Sequence, residues 1–273
     1  MHENPLSAAA IQQVLARVRS LAQFQSRRSQ ERFWIEGVRN FVQACDAKLD
    51  FDTVVYCPVL LKSRVAEMLI RRLGAAGVPR VRVTPEQFRA VSMLERASGV
   101  GAIALQRWTP LERADPRCGL CWLVIEQIRS PGNLGSILRT AEACSVGGVI
   151  FVGPYCDPFD PAVARASMGG ISFLPLVRAS VDELAAWIER HSVELVGLSP
   201  DAKRLWTDVP LAPSIAIVLG EERQGLSQRL RKLCGTRVRL PMTGRADSLN
   251  VSVAAGVMLY ELVRRQVDPP ATF

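Results

Sequence analysis

The chain has 273 residues, of which 48% are hydrophobic, so two packed domains are expected rather than a disordered chain. No run approaches about 18 uninterrupted apolar residues, which excludes a membrane-spanning helix, and the N-terminus lacks the layout of a secretory signal. The net charge of +8 is uneven: residues 1–117 hold 18 Lys and Arg against 11 Asp and Glu, and residues 118–273 hold 16 against 15. A basic first part favours contact with a polyanion, and we expect a cytoplasmic protein.

The seven cysteines are scattered through apolar stretches, as expected of reduced core thiols. Cys118 and Cys121 have the spacing of metal ligands, but no second pair follows, and His2 and His191 are the only histidines. Four ligands are hard to assemble from this set, so no metal site is predicted.

Helices and strands alternate in the first part of the chain. The predicted order is a helix over about 7–22, the basic cluster Arg27, Arg28 and Arg32, the segment FWIEG at 33–37, a helix to about Ala47, a strand at 53–58, a helix at about 62–74, a strand at 80–84, a helix entered through Pro85 and a strand at 101–105. This alternation predicts a small basic α/β domain over 1–106, which we expect to contact a polyanion. A linker over 107–119 follows.

The second part alternates again over 120–273. Strands are predicted at 120–128, 148–153, 173–178, 193–199, 214–220 and 236–240, and helices at 134–145, 181–191, 226–233 and about 250–266. Crossover helices between strands predict an α/β fold with a doubly wound parallel sheet. The usual dinucleotide fingerprint is missing, because a strand follows Gly99 and Gly101 where a helix should begin.

The segment SPGNLGSILRTAEA at 130–143 follows a buried strand and opens a helix, where anions and polar ligand groups collect in such sheets. Arg139 lies off the apolar stripe of this helix, and its side chain leans back over Gly135 toward the loop and Asn133. The alternative is that Asn133 is only an N-cap and that Arg139 pairs with Glu142 on the surface.

The segment LGEERQGLS at 219–227 leaves an apolar strand through a glycine turn and enters a helix. Gly220 and Gly225 allow a tight backbone, and Glu222 falls between them at the carboxyl end of the strand. The alternative is a solvated turn followed by ordinary acidic residues at a helix start.

The segment RLPMTGRADSLNVSVAAGVMLYELV at 239–263 runs from a strand through a polar loop into a helix rich in small residues. Ser248 is the predicted N-cap, and Ala254, Ala255 and Gly256 permit close packing against another element. The alternative is that Ser248 and Asn250 serve only as caps.

Together and in this order, with ASMGG at 166–170 between the first two, these segments resemble the SpoU/TrmH family of the SPOUT methyltransferase superfamily over about 120–266. The patterns N-x-G-x-x-x-R, G-x-E-x-x-G and S-L-N-V-S are all intact. The basic cluster and the IEG at 35–37 make the first part similar to the small RNA-binding domain of the ribosomal protein L30e type.

The resemblance implies a deep trefoil knot, a homodimer with its site near the subunit interface, and S-adenosyl-L-methionine as cofactor. The residues that would wall the cofactor are Leu198, Gly220, Leu240 and Leu249. Those of the catalytic polar site would be Asn133, Arg139, Glu222, Ser248 and Asn250, and Arg165 would help Arg27, Arg28 and Arg32 to hold RNA. Glu221 departs from the family pattern, which has a small or polar residue there.

The reaction implied is methyl transfer to a ribose 2′-hydroxyl, with ribosomal RNA the favoured substrate because a basic domain is added. The guanidinium of Arg139, a permanent cation without an acceptor, suits charge stabilisation and phosphate binding better than the role of a base. Two alternatives remain open, a tRNA 2′-O-methyltransferase and a non-catalytic RNA-binding ribosome assembly factor.

Overall fold

The structure is a computed structural model that describes residues 7–153, 156–210, 212–221 and 224–267. The chain divides into two compact units: the first unit is Met1–Arg107 with Asp157–Ser172, and the second unit is Trp108–Cys156 with Phe173–Phe273. The predicted division at 107–119 therefore misses one segment, since 157–172 belongs with the N-terminal residues. No helix in the described ranges is long and apolar enough to cross a membrane.

Ten helices and eleven strands follow each other along the described part of the chain. They are α1 (Ala8–Ser20), α2 (Phe24–Gln30), β1 (Arg32–Glu36), α3 (Val38–Asp46), β2 (Phe51–Tyr56), α4 (Arg64–Ala75), β3 (Arg80–Arg82), α5 (Pro85–Arg89), β4 (Val100–Leu105), β5 (Trp122–Ile125), α6 (Pro131–Ala143), β6 (Gly148–Val152), α7 (Pro161–Ala166), β7 (Leu176–Ala179), α8 (Val181–His191), β8 (Glu194–Leu198), β9 (Arg204–Leu205), β10 (Ile215–Leu219), α9 (Gln228–Leu233), β11 (Thr236–Arg239) and α10 (Val251–Val267).

The first unit contains a four-stranded sheet in the order β1-β4-β2-β3. β4 runs antiparallel to both β1 and β2, and β2 pairs in parallel with β3. Apolar clusters cover both faces, one including Trp34 and Phe88, the other Phe41 and Leu69. The FWIEG segment, to which no strand was assigned from its sequence, supplies most of β1 because Phe33, Trp34 and Ile35 are all buried.

The segment 157–172 packs into the first unit through one buried cation and one aromatic contact. Arg27 is only 2% exposed, and its guanidinium pairs with Asp157 at 2.7 Å and Asp160 at 3.0 Å. The Phe159 ring lies 4.8 Å from that of Phe33, centroid to centroid. A buried charge is tolerated only when it is paired, so these contacts fix the segment in place.

The second unit contains a seven-stranded, wholly parallel sheet in the order β7-β6-β5-β10-β8-β11-β9. β5, β6 and β10 are buried along their whole length, as expected of central strands covered on both faces. The predicted α/β class with a parallel sheet is confirmed. β11, the last strand, lies between β8 and β9 rather than at an edge.

Candidate active site

The segments at 130–143, 219–227 and 239–263 are here called the first, second and third signature segments. In the first of them, α6 begins about one turn earlier than predicted. Ser130 is the N-cap, and its Oγ accepts a hydrogen bond from the Asn133 backbone at 3.4 Å. Pro131 occupies the first helical position, where its missing N–H costs nothing. The alternative of Asn133 as the cap is therefore wrong. Its side chain makes a contact outside the helix instead, since Asn133 Oδ1 accepts a hydrogen bond from Asn250 Nδ2 at 3.1 Å.

Arg139 projects from the exposed side of α6, opposite the buried stripe Leu134, Ile137, Leu138 and Ala141. Among the described residues the Arg139 guanidinium has no hydrogen-bond or ion-pair partner, and the surface pairing with Glu142 is not formed. All five N–H donors of the side chain are thus available to an anionic or polar ligand, apart from any contact with residues outside the described ranges.

The second signature segment folds into a tight turn at the carboxyl end of β10. Glu221 and Gly225 exchange backbone hydrogen bonds of 3.0 and 2.8 Å, and Gly225 has a φ of +67°, which favours glycine. A Cβ on Gly220 would lie 2.4 Å from the Gly225 carbonyl carbon, so no side chain fits there. Glu222 and Arg223 lie outside the described residues, and the role assigned to Glu222 stays a prediction.

Glu221, the departure from the family pattern, has a side chain that is only 9% exposed. Its carboxylate pairs with Arg129 Nε at 2.8 Å, and Arg129 directly precedes the Ser130 cap of α6. The extra acid therefore joins the turn after β10 to the loop that leads into α6. This link was not predicted, because residue spacing alone does not show that 129 and 221 follow neighbouring strands.

The third signature segment is capped by Asn250 rather than by Ser248. Asn250 Oδ1 accepts hydrogen bonds from the Ser252 backbone at 2.9 Å and from Ser252 Oγ at 2.6 Å. Ser248 lies too far before α10 to cap it, and its hydroxyl donates to Asp247 at 3.1 Å. The prediction of Ser248 as N-cap is wrong, and the catalytic role assigned to Ser248 stays a prediction.

A pocket of about 550 Å³ lies where β8, β10 and β11 end, the edge at which ligands bind in open parallel sheets. Its lining includes all four residues predicted to wall a cofactor, namely Leu198, Gly220, Leu240 and Leu249. Ser248 also lines it. The structure thus brings these residues together at one place, and their contacts with a ligand stay predictions.

Four charged side chains that were not predicted also line the pocket, those of Asp201, Arg231, Arg239 and Asp247. Asp201 follows β8, and its carboxylate pairs with Arg231 of α9 at 2.5 Å. Hydrogen bonds from Ser199 and then from Arg231 hold the pKa of Asp201 below its usual value. Arg239 ends β11. Asp201 could have been found in the sequence, because it is an acid in the loop after a predicted strand. Glu222 was selected on the same criterion.

The predicted RNA contacts of the first unit divide into two kinds. The prediction that Arg27 contacts RNA is wrong, because its buried guanidinium pairs with Asp157 and Asp160 and donates to two backbone carbonyls. Arg32 pairs with Asp52 at 3.3 Å. Arg28 and Arg165 are exposed, as RNA contacts must be. A basic cluster in a sequence does not show which of its members face an acid.

Thiols and metal ligands do not form a second site in the described part of the chain. The cysteines, including Cys118 and Cys121, form no disulfide, and burial raises the pKa of the Cys121 thiol above its usual range. No group of three or more His, Cys, Asp or Glu among the described residues could hold a metal ion.

A parallel α/β sheet with a ligand-sized pocket at the carboxyl ends of its strands is typical of proteins that bind a nucleotide or a cofactor. The model of the SpoU rRNA Methylase family matches residues 121–260, and that of the MRM3-like substrate binding domain matches residues 13–102. The chain belongs to the SpoU rRNA methylase family and is an RNA methyltransferase.

Individual relatives resemble the chain over different lengths. An uncharacterized tRNA/rRNA methyltransferase of Synechocystis sp. is 29% identical over 254 residues, which cover 93% of this chain and 91% of that protein. The 23S rRNA (guanosine-2′-O-)-methyltransferase RlmB of Coxiella burnetii is 35% identical over 55% of this chain and 60% of that protein. The AdoMet-bound rRNA methyltransferase from Sinorhizobium meliloti superposes with a TM-score of 0.85, at 29% identity, over 93% of this chain and 95% of that one.

Proposed function

We propose that this protein transfers a methyl group from S-adenosyl-L-methionine to a ribose 2′-hydroxyl of ribosomal RNA. The observation that carries the proposal is the 3.1 Å hydrogen bond between Asn133 and Asn250, which joins the first and third signature segments. Asn250 lies between Leu249 and Val251, which both line the 550 Å³ pocket, and Asn133 shares α6 with Arg139. The Coxiella relative is a guanosine-2′-O-methyltransferase by name, and this supports the ribose hydroxyl as acceptor.

The pocket suits the cofactor in size and character. Its volume of about 550 Å³ falls in the range of roughly 300–1,000 Å³ typical of small-molecule sites. Leu198, Leu240 and Leu249 would pack on the adenine, and Gly220, where a Cβ would clash at 2.4 Å, exposes backbone groups that can bind its polar edge. When bound, S-adenosyl-L-methionine supplies an electrophilic methyl group.

Arg139 is the proposed catalytic residue. A ribose hydroxyl is a poor nucleophile at neutral pH, so its attack needs a group that stabilises developing negative charge on oxygen. The Arg139 guanidinium is a permanent cation with its donors available, and it suits this role and that of binding the adjacent phosphate. The Asn133–Asn250 bond holds the two carboxamides together, and Glu222 is proposed to orient Arg139 and the ribose.

The decisive experiment is transfer of labelled methyl groups from S-adenosyl-L-methionine to separate pools of unmodified 23S rRNA, 16S rRNA and tRNA. We expect one rRNA pool to be labelled, and a 2′-deoxy substitution at the mapped nucleotide to abolish labelling. Labelling of tRNA alone would overturn the substrate, and labelling that survives the 2′-deoxy substitution would overturn the ribose acceptor. Tight rRNA binding without labelling would indicate a non-catalytic assembly factor.

We also propose a homodimer with the site near the subunit interface. α10 follows the cap Asn250 and exposes an apolar stripe, with Val253 at 52%, Val257 at 47% and Tyr260 at 58% exposure, spaced by four and three residues. Such a stripe on a helix is expected to be buried against a partner. We expect Val257→Glu with Tyr260→Glu to give monomers in analytical ultracentrifugation. A monomeric wild-type protein would contradict the proposal.

The trefoil knot and the cytoplasmic location are further parts of the proposal. The position of β11 between the earlier strands β8 and β9 supports threading of the C-terminal segment. An RNA substrate and cysteines without disulfides suit a reducing compartment.

A further inference from the structure

A second pocket, of about 240 Å³, lies in the first unit, away from the signature segments. Trp34, Met93, Leu94 and Pro161 give it largely apolar walls, and Glu36 and Arg165 are among its polar residues. Nothing in the methyl-transfer site uses it. At about 30 Å³ per water it holds roughly eight waters, which is room for one flat heterocycle, and it is smaller than most sites for whole cofactors.

Glu36 is a charged acceptor built into this pocket. The residue is only 7% exposed, and its carboxylate is held by hydrogen bonds from Ser92 Oγ, from the Met93 backbone at 2.7 Å and from Trp34 Nε1 at 3.4 Å. The Met93 and Trp34 bonds go to Oε2, and Oε1 accepts only that of Ser92 among the described residues. A carboxylate oxygen has two acceptor positions, so Oε1 can accept one more donor from a ligand.

Arg165 supplies the cation of the same pocket. It is exposed, and its Nη1 donates to the Met93 carbonyl at 3.0 Å, which holds the guanidinium at the rim and leaves its other donors available. Asp160, the other acid in the lining, is paired with Arg27 at 3.0 Å. A pocket with a buried acceptor, apolar walls and a rim arginine combines the groups that bind an unstacked base and its phosphate.

We propose that this pocket binds one extruded base of the RNA, with Glu36 accepting a hydrogen bond from an exocyclic amino group and Arg165 contacting the neighbouring phosphate. The inference rests on the proposed function, because it takes RNA as the substrate. Adenine, cytosine and guanine carry such an amino group. Uracil does not, and its carbonyls flank its one Watson–Crick donor and would face the carboxylate. The pocket is therefore expected to select against uracil.

The test uses the full chain and four labelled RNA nonamers that differ only at the central base of a uridine tract. We expect fluorescence anisotropy to show at least one amino-bearing base bound about tenfold more tightly than uracil, the scale of a hydrogen bond to a charged group. Ala162→Phe, which adds a ring from α7 without removing a Glu36 contact, should abolish the preference. Arg165→Ala should weaken all four nonamers equally and lower the salt slope by about one.

The matched control is Ala75→Phe, an exposed position on α4 outside the pocket, which should keep the wild-type preference. If Ala162→Phe does not fold, Glu36→Gln is used in its place, since it keeps the shape and changes the acceptor. Equal binding of the four nonamers by the wild type, or a preference that survives the pocket variant, would overturn the inference. Methyl transfer to rRNA is measured on the same preparations, so that methylation without base preference rejects the pocket alone.

Discussion

Asn250 combines a structural and a site contact in one side chain. Its Oδ1 caps α10 through the Ser252 backbone, and its Nδ2 donates to Asn133. Capping and catalysis, which the sequence presented as alternatives, are therefore compatible at this position. The two contacts use different atoms, so substitutions can separate them.

Asn250→Ala is expected to lower the free energy of unfolding by about 1 kcal/mol, because it removes the cap. Asn250→Ser is expected to lower the free energy of unfolding by only about a few tenths of a kcal/mol, since a serine hydroxyl still caps the helix but cannot reach Asn133. Urea unfolding of both variants measures the difference. Equal losses would show that the Asn133 bond, and not the cap, carries the stability.

Arg139→Ala is expected to reduce methyl transfer by about 10²–10³-fold, the cost of losing one charge-stabilising group at an oxyanion. Binding of S-adenosyl-L-methionine, measured by calorimetry, should stay within twofold of wild type. Arg190→Ala is the control, because Arg190 is an exposed arginine of α8 without a described partner. Near-normal turnover by Arg139→Ala would reject the assignment.

At the scale of elements, the sequence predicted the features that depend on residues close together in the chain. The apolar runs of β5, β6 and β10 and the stripe of α6 were read correctly, because burial follows directly from side-chain periodicity. The start of α6 was misplaced, since Ser130 and Asn133 are both good caps and only Pro131 distinguishes them. The Arg129–Glu221 pair could not be predicted, because its partners meet only when β5 and β10 become neighbours.

α10 is held at its C-terminal end by a charged cluster that depends on pH. Glu261 accepts hydrogen bonds from Arg264 and Arg265, each at 2.8 Å, and Arg265 also donates to the Val209 and Trp206 carbonyls. These hydrogen bonds, first from Arg264 and then from Arg265, lower the pKa of Glu261 from 4.5 to about 2. The folded state therefore binds the proton less readily than the unfolded chain does.

The contribution of Glu261 should be fully present above about pH 4.5 and lost as the pH falls toward 2, because protonation then favours the unfolded chain. We expect the difference in Tm between wild type and Glu261→Gln to be constant from pH 5 to 7 and to shrink below pH 4.5. Glu142→Gln, at an exposed position of α6, is the control for loss of a carboxylate. A difference in Tm that grows as the pH falls would contradict the lowered pKa of Glu261 in the folded state.

At the scale of the whole molecule, the chain passes between the units three times, after residues 107, 156 and 172. A division into consecutive domains follows naturally from charge and alternation of elements, but it cannot show that 157–172 returns to the first unit. The contacts that bring it back join positions far apart, such as Arg27 with Asp157 and Phe33 with Phe159. The same return builds the 240 Å³ pocket, whose lining combines Trp34 and Glu36 with Pro161 and Arg165.

Cutting the connection between residues 107 and 119 should therefore not release the N-terminal piece. We expect a protease site placed after the exposed Pro110 to give two fragments that co-elute in gel filtration, because 157–172 of the second fragment stays packed in the first unit. Arg27→Met should let them separate in mild urea, since it leaves Asp157 and Asp160 without their cation, a loss of about 3–5 kcal/mol. Arg28→Met, at the exposed neighbouring position, is the control and should leave the two fragments associated under the same conditions. Fragments that separate in native buffer would show that the segment is not held by the first unit.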